Sequence, residues 1–232
     1  MRKLIALFLV LSLSLGLASA LADQTVSVSG TGEVLVAADT AVVTLGVTVR
    51  NANALKAQSE ANEVIARIRS ALTGAGFSEE DINTGYVWVG GVYNYNGEED
   101  VISAYTATSS LAVRITDMSR VGEVIDLSFS AGANTLDGVT FSVSDDSAAR
   151  KQAMKMAVED AAEKAAVLAE AAGLGELELQ SIRSDNVYSY DSGLNNFSMK
   201  AAGVEAAMDT ATFIRAAKIS VIASVTVDYR AK

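Results

Sequence analysis

The chain contains no cysteine, no histidine and no proline. Without Cys no disulfide can staple the fold, so stability has to come from a packed core. Nor is there a thiol to carry a lipid at a processed N terminus. Without His or Cys the usual zinc and copper ligand sets are missing, and Ser-His-Asp and Cys-His nucleophile pairs are impossible. A Ser-x-x-Lys pair needs Ser three residues before Lys, and none of the eight lysines has it. Basic charge is scarce as well: 18 Lys and Arg stand against 28 Asp and Glu, a net charge of −10. A surface this acidic repels phosphate backbones and anionic lipid, which argues against nucleic acid and charged membrane as partners. The chemistry left open belongs to carboxylates, as a hard-cation site or as two-carboxylate hydrolysis.

What is present begins with a leader. Arg2 and Lys3 precede an apolar run over residues 4–17, followed by Ala18-Ser19-Ala20-Leu21-Ala22. This is a charged region, an apolar region and an A-x-A site, with cleavage after Ala20 or Ala22. The run is short for a span of about 20 residues, so the expectation is a signal peptide over residues 1–22 and no stable membrane span after cleavage. A retained anchor is the alternative. Loss of Arg2 and Lys3 leaves 16 basic residues against 28 acidic, a charge of −12. The mature chain of 23–232 is long enough to bury a real core and reads as one domain.

Residues 25–36 and 41–49 alternate apolar and polar, as half-buried strands do. The period then changes. Val64, Ile65, Ile68 and Leu72 have helical spacing within a helix predicted over 53–73, stopped by Gly74 and Gly76. Two strand-like runs, around 86–89 and 105–115, flank Asn96-Gly97, the dipeptide suited to a tight hairpin turn. Asp117 can cap a shorter helix through Val121, Ile125 and Leu127, and Val139, Phe141 and Val143 mark a further strand. Asp146 or Ser147 opens the longest helix, which runs to Ala172 and stops at Gly173. Its predicted packing stripe is Met154, Val158, Ala161, Ala165, Leu168 and Ala172. That stripe reads as a helix packed on a sheet; a partner helix from another subunit is the alternative. Strands at 177–187 and 218–227 close the pattern. Between them, 184–212 reads as a long flexible loop with a short helix near 199–208. The pattern resembles two halves, each with a long helix between strand groups.

Glu79-Glu80, Glu98-Glu99-Asp100 and Asp145-Asp146 lie on predicted caps and turns and lack calcium-loop spacing. Gly30-Thr31-Gly32 sits inside a strand without the third glycine or the following helix of a dinucleotide site, and reads as a bulge or a close backbone approach. Asn196-Phe197-Ser198 fits a glycosylation acceptor. The aromatic residues are unevenly placed: Tyr86, Trp88, Tyr93, Tyr95 and Tyr105 crowd one hairpin. They read as cross-strand packing, as an exposed patch for a protein partner, or as the lining of a ligand pocket.

The motifs V-S-V-S-G-T-G-E-V (26–34), A-D-T-A-V-V-T-L-G-V (38–47), G-F-S-E-E-D-I-N-T (76–84) and Y-N-Y-N-G (93–97) occur in order. They are followed by A-Y-T-A-T (104–108), G-A-N-T-L-D-G-V-T-F (132–141), the Ala-rich helix and I-S-V-I-A-S-V-T-V-D-Y (219–229). In this order and spacing the mature chain resembles the SIMPL domain family. The resemblance implies an exported, largely bacterial protein of α+β fold, found in the periplasm or at the cell surface. Some relatives look like ring- or channel-like homo-oligomers, some are linked to oxidative-stress tolerance, and others are immunogenic. The family supplies no catalytic residues to carry over. The chain departs from it where Ala38, Gly90 and Ala216-Ala217 replace prolines, which should loosen those turns without changing strand order.

The expected fold is α+β, a mainly antiparallel sheet packed by two long helices and a shorter one in the order β-β-α-β-β-α-β-α-β-β. The expected role is non-catalytic: self-assembly or binding in the cell envelope, with no cofactor and no metal. A homo-oligomer is the expected partner state, with an envelope component possible in principle. Tyr86, Trp88, Tyr93, Tyr95 and Tyr105 are the candidate contacts. The alternatives are a binding module with a pocket between sheet and long helix, and last a carboxylate-dependent hydrolase.

Overall fold

A computed structural model describes residues 24–95, 100–191, 212, 214–216 and 218–232, with backbone alone at Tyr95, Asp100 and Asp191. The predicted leader, the Asn96-Gly97 turn with Glu98-Glu99, the short helix at 199–208 and Asn196-Phe197-Ser198 lie outside the described residues.

The described chain runs β1 (Thr25–Ala37), β2 (Thr40–Asn51), α1 (Ala54–Gly74), β3 (Ile82–Tyr95), β4 (Asp100–Ile115), α2 (Val121–Ser130), β5 (Thr135–Ser142), α3 (Ser147–Ala172), β6 (Leu177–Asp191) and β7 (Lys218–Ala231). This is the predicted α+β order. One sheet runs β1-β7-β6 and the other β3-β4-β2-β5. Two compact units result, one of residues 24–33, 150–187 and 222–232, the other of the described residues within 34–149 and 188–221. They are interleaved along the chain rather than consecutive halves, because β1 and β7, which pair, stand at opposite ends of the sequence.

In the first unit the strands are antiparallel. Ala231 N–H donates to the Gln24 carbonyl (2.8 Å) and Lys232 N–H to the Glu176 carbonyl (2.9 Å). Ser27 and Ser181 hydroxyls both donate to Asp228, at 2.6 and 2.7 Å. Along β1, Val26, Val28, Gly30 and Gly32 are buried while Ser27, Ser29, Thr31 and Glu33 are exposed. The α3 stripe needs correction. The buried positions are Ala149, Ala153, Ala157, Ala161, Ala165 and Ala169, of which Ala161 and Ala165 belong to the predicted stripe, whereas Leu168 is 50% exposed. The reason is proximity: a Cβ built on Gly30 would lie 2.0 Å from the Ala157 carbonyl oxygen, and one on Gly32 2.1 Å from that of Ala153. Backbone meets backbone here, so only alanine fits the helical side of the seam and only glycine the strand side. The predicted loop also begins later than expected. Residues 184–191 continue β6, since Val187, Tyr188 and Tyr190 favour strand.

The second unit is built from larger side chains. Asn53 Oδ1 accepts the Lys56 N–H (3.1 Å) and caps α1, one residue before the helix proper. Ile68 and Leu72 of α1 join Val121, Val124 and Ile125 of α2 against Val43, Leu45, Leu111 and Val113 of the sheet. Asp117 accepts the Ser119 N–H (3.0 Å) and opens the short turn before α2. Strand β2 pairs along its length with β4 and on its other side with β5, where the register shifts between Thr44 and Leu45.

Candidate interaction surface

Among the described residues strand β3 is an edge of its sheet, paired with β4 alone. Its register with β4 places Tyr86 opposite Ser110, Trp88 opposite Thr108, Gly91 opposite Tyr105, Tyr93 opposite Ile102 and Tyr95 opposite Asp100. The odd-numbered residues of β4, Ala107, Leu111 and Val113, are buried with the helices. Side chains alternate across a strand, so Ser110 and Thr108, and with them Tyr86 and Trp88, belong to the opposite face. Tyr105 is on the helix side and half-buried. The structure therefore brings Tyr86 and Trp88 together and separates Tyr105 from them.

Three of these aromatics are exposed. Tyr86 is 54% exposed, Trp88 45% and Tyr93 50%. The Trp88 indole lies across Gly90, where a Cβ would come within 2.2 Å of its Cζ2. The ring thus occupies the space a side chain at position 90 would need, while nearly half of the residue stays exposed. Sequence reasoning missed aliphatic side chains exposed on the same two strands, Val87, Val101 and Ile102; of these Val87, opposite Ser109, lies on the face away from Tyr86 and Trp88. The signal was the unbroken run Tyr86-Val87-Trp88-Val89 in a strand with only one neighbour. It also missed Tyr188 and Tyr190, whose rings stack with centroids 6.0 Å apart in a stretch read as loop.

At Gly30 and Gly32 the long helix and sheet of the first unit meet backbone to backbone, with no space between them at those two positions. An open groove of about 420 Å³ lies along Val28 and Ser29 of β1 and Asp160, Glu163, Lys164, Val167 and Leu168 of α3. It has neither Tyr nor Asn in its lining.

The carboxylates follow one rule. Ser144 hydroxyl and N–H hold Asp39 below the ordinary carboxylate range, and Ser119 does the same for Asp117. Arg120 lowers Glu123, Lys164 lowers Asp160 with help from the Thr31 N–H, and the Ser27 and Ser181 hydroxyls lower Asp228. In each case donors favour the charged form. Asp145, from the third acidic pair, accepts the Ser147 N–H (2.9 Å) at the start of α3, and Asp81 pairs with Arg114 at 2.7 Å. These acids cap helices, tie turns and bridge strands. Among the described residues no helix is long and apolar enough to cross a membrane.

Residues 26–229 match the SIMPL family model, described as a protein of unknown function (DUF541). The chain is 31% identical over 155 residues to the 26 kDa periplasmic immunogenic protein of Brucella melitensis, covering 65% of this chain and 62% of the relative. It is 26% identical over 141 residues to the uncharacterized protein YggE of Escherichia coli, covering 61% of this chain and 57% of the relative. The aligned part thus spans less than two thirds of the length of these relatives. The match to the family model takes in the strands of both sheets and all three described helices, and on that ground the chain belongs to the SIMPL family.

Proposed function

We propose that this protein is exported to the periplasm and works there by contact, assembling with copies of itself or holding an envelope component, rather than by catalysis. The observation that supports this most is strand β3, an edge among the described residues, which presents Tyr86 and Trp88 to solvent on one face. Exposed aromatic clusters on a strand edge are what interface cores use, and an unpaired edge adds backbone hydrogen bonds to the same contact. Localisation is supported by the relative named periplasmic and by the leader pattern. The hydrolase reading is disfavoured by electrostatics. A general acid needs its carboxyl pKa raised by burial or by a neighbouring charge of like sign, and the shifted carboxylates described here all move the other way.

Trp88 is the chain's one tryptophan, so its fluorescence reports directly on this surface. Light scattering on the mature chain should give a mass above that of one chain, and dilution should lower the mass and red-shift the Trp88 emission together. Tyr86→Ala should weaken assembly while the folded circular dichroism is kept. A monomer at every concentration would remove the assembly reading and leave only the envelope component.

A further inference from the structure

The Gly30-Thr31-Gly32 segment lies in β1, an outer strand of the sheet β1-β7-β6. The Gln24 carbonyl faces β7, since it accepts from Ala231. Backbone groups alternate along a strand, so those of the odd-numbered residues face outward, where a further strand would attach. Two of these outward groups are occupied by side chains. Thr31 N–H donates to Asp160 Oδ2 (2.7 Å) and Lys164 Nζ donates to the Ser29 carbonyl (3.1 Å). The two side chains are joined to each other, Nζ to Oδ2, at 2.7 Å. Together they offer, on either side of Gly30, one acceptor and one donor, as the backbone of an added strand would.

The reach depends on the glycines. Asp has a short side chain, and it arrives at the strand's edge because α3 sits on β1 with backbone contact at Gly30 and Gly32. A second case in the same molecule shows that a side chain can stand in for strand backbone. The Asn134 amide accepts the Thr48 N–H (2.8 Å) and donates to the Thr48 carbonyl (2.9 Å), beyond the last β5 partner of β2.

We propose that Asp160 and Lys164 form a strand mimic that closes the outer edge of β1 against the β1 of a second copy of this chain. The 13-residue strand needs such closure. It is long, rich in Val and Thr, and free of proline, and an uncovered edge of that kind templates pairing between copies. The inference is independent of the β3 surface and stands without it.

The test uses the purified mature chain, the double variant Asp160→Ala/Lys164→Met, and Lys155→Met as a charge control on the same helix. The double variant should gain mass with concentration in light scattering, beyond whatever the parent and Lys155→Met show. In dilute solution its Thr31 amide should exchange about tenfold faster than in the parent, the scale of a lost charge-assisted hydrogen bond. A folded double variant with the parent's mass at every concentration overturns the proposal. Should the double variant fail to fold, the parent decides it: a Thr31 amide protected from exchange supports the closure, and one exchanging at the rate of an unstructured peptide overturns it.

Discussion

The two units bury a helix against a sheet in opposite ways. In one, α3 lays a row of alanines on two glycines, and the backbones touch. In the other, α1 and α2 drive Ile68, Leu72, Val121 and Val124 into Leu45, Leu111 and Val113. The first seam has almost no apolar volume to lose and no space to gain. The second is filled by large side chains, each of which removes much apolar surface from water. The difference teaches that small residues mark close approach as surely as large ones mark a core, and that the two seams should fail under opposite substitutions.

Leu111→Ala should show the largest effect, a loss of about 2–5 kcal/mol from the transfer and cavity terms, read as a lower urea midpoint at unchanged slope. Its counterpart, Ala161→Gly, should cost only about 1 kcal/mol, the helix-propensity difference. Equal losses would break the comparison. Gly30→Ala adds a single methyl group, yet it meets the Ala157 carbonyl oxygen at 2.0 Å. Overpacking of this kind costs about 1–3 kcal/mol, and a thermally neutral Gly30→Ala would mean the seam can open. Asn53→Ala removes the cap of α1 and should cost about 1 kcal/mol, measurable as a midpoint shift and restored by Asn53→Asp.

The smallest effect is the acid limb. Asp228 is held below the ordinary carboxylate range by two hydroxyl donors. Its stabilisation is therefore present above the unfolded-state value, about 3.9, and is lost as pH falls through the lower folded value. Stability should fall below about pH 4, and Asp228→Asn should flatten that fall. An unchanged acid limb in the variant would show that the hydroxyl pair contributes nothing.

Much of this was legible in the sequence, for local reasons. Alternation gave β1, β2 and β7, and the change of period gave α1; Asp117 was readable as a capping residue, but it caps the short turn at 118–120, and Arg120 stands at the N-cap of α2 without a side-chain bond. The α3 stripe was misread because nearly every position of that helix is alanine or polar, so apolar periodicity carried no phase. The phase is set by Gly30 and Gly32, more than a hundred residues away. The candidate surface was half legible. Five aromatics crowded the hairpin, but register, which puts Tyr86 and Trp88 on one face and Tyr105 on the other, depends on pairing across strands.

The sequence by itself determined the order of elements and the absence of thiol and imidazole chemistry, because each follows from residue type or from neighbours within a few positions. Tertiary structure alone decided which strand became an edge, which alanines faced the sheet, and that Asp160 and Lys164 reach the β1 backbone. Those outcomes depend on contacts between residues far apart in the chain, whose geometry no local pattern encodes.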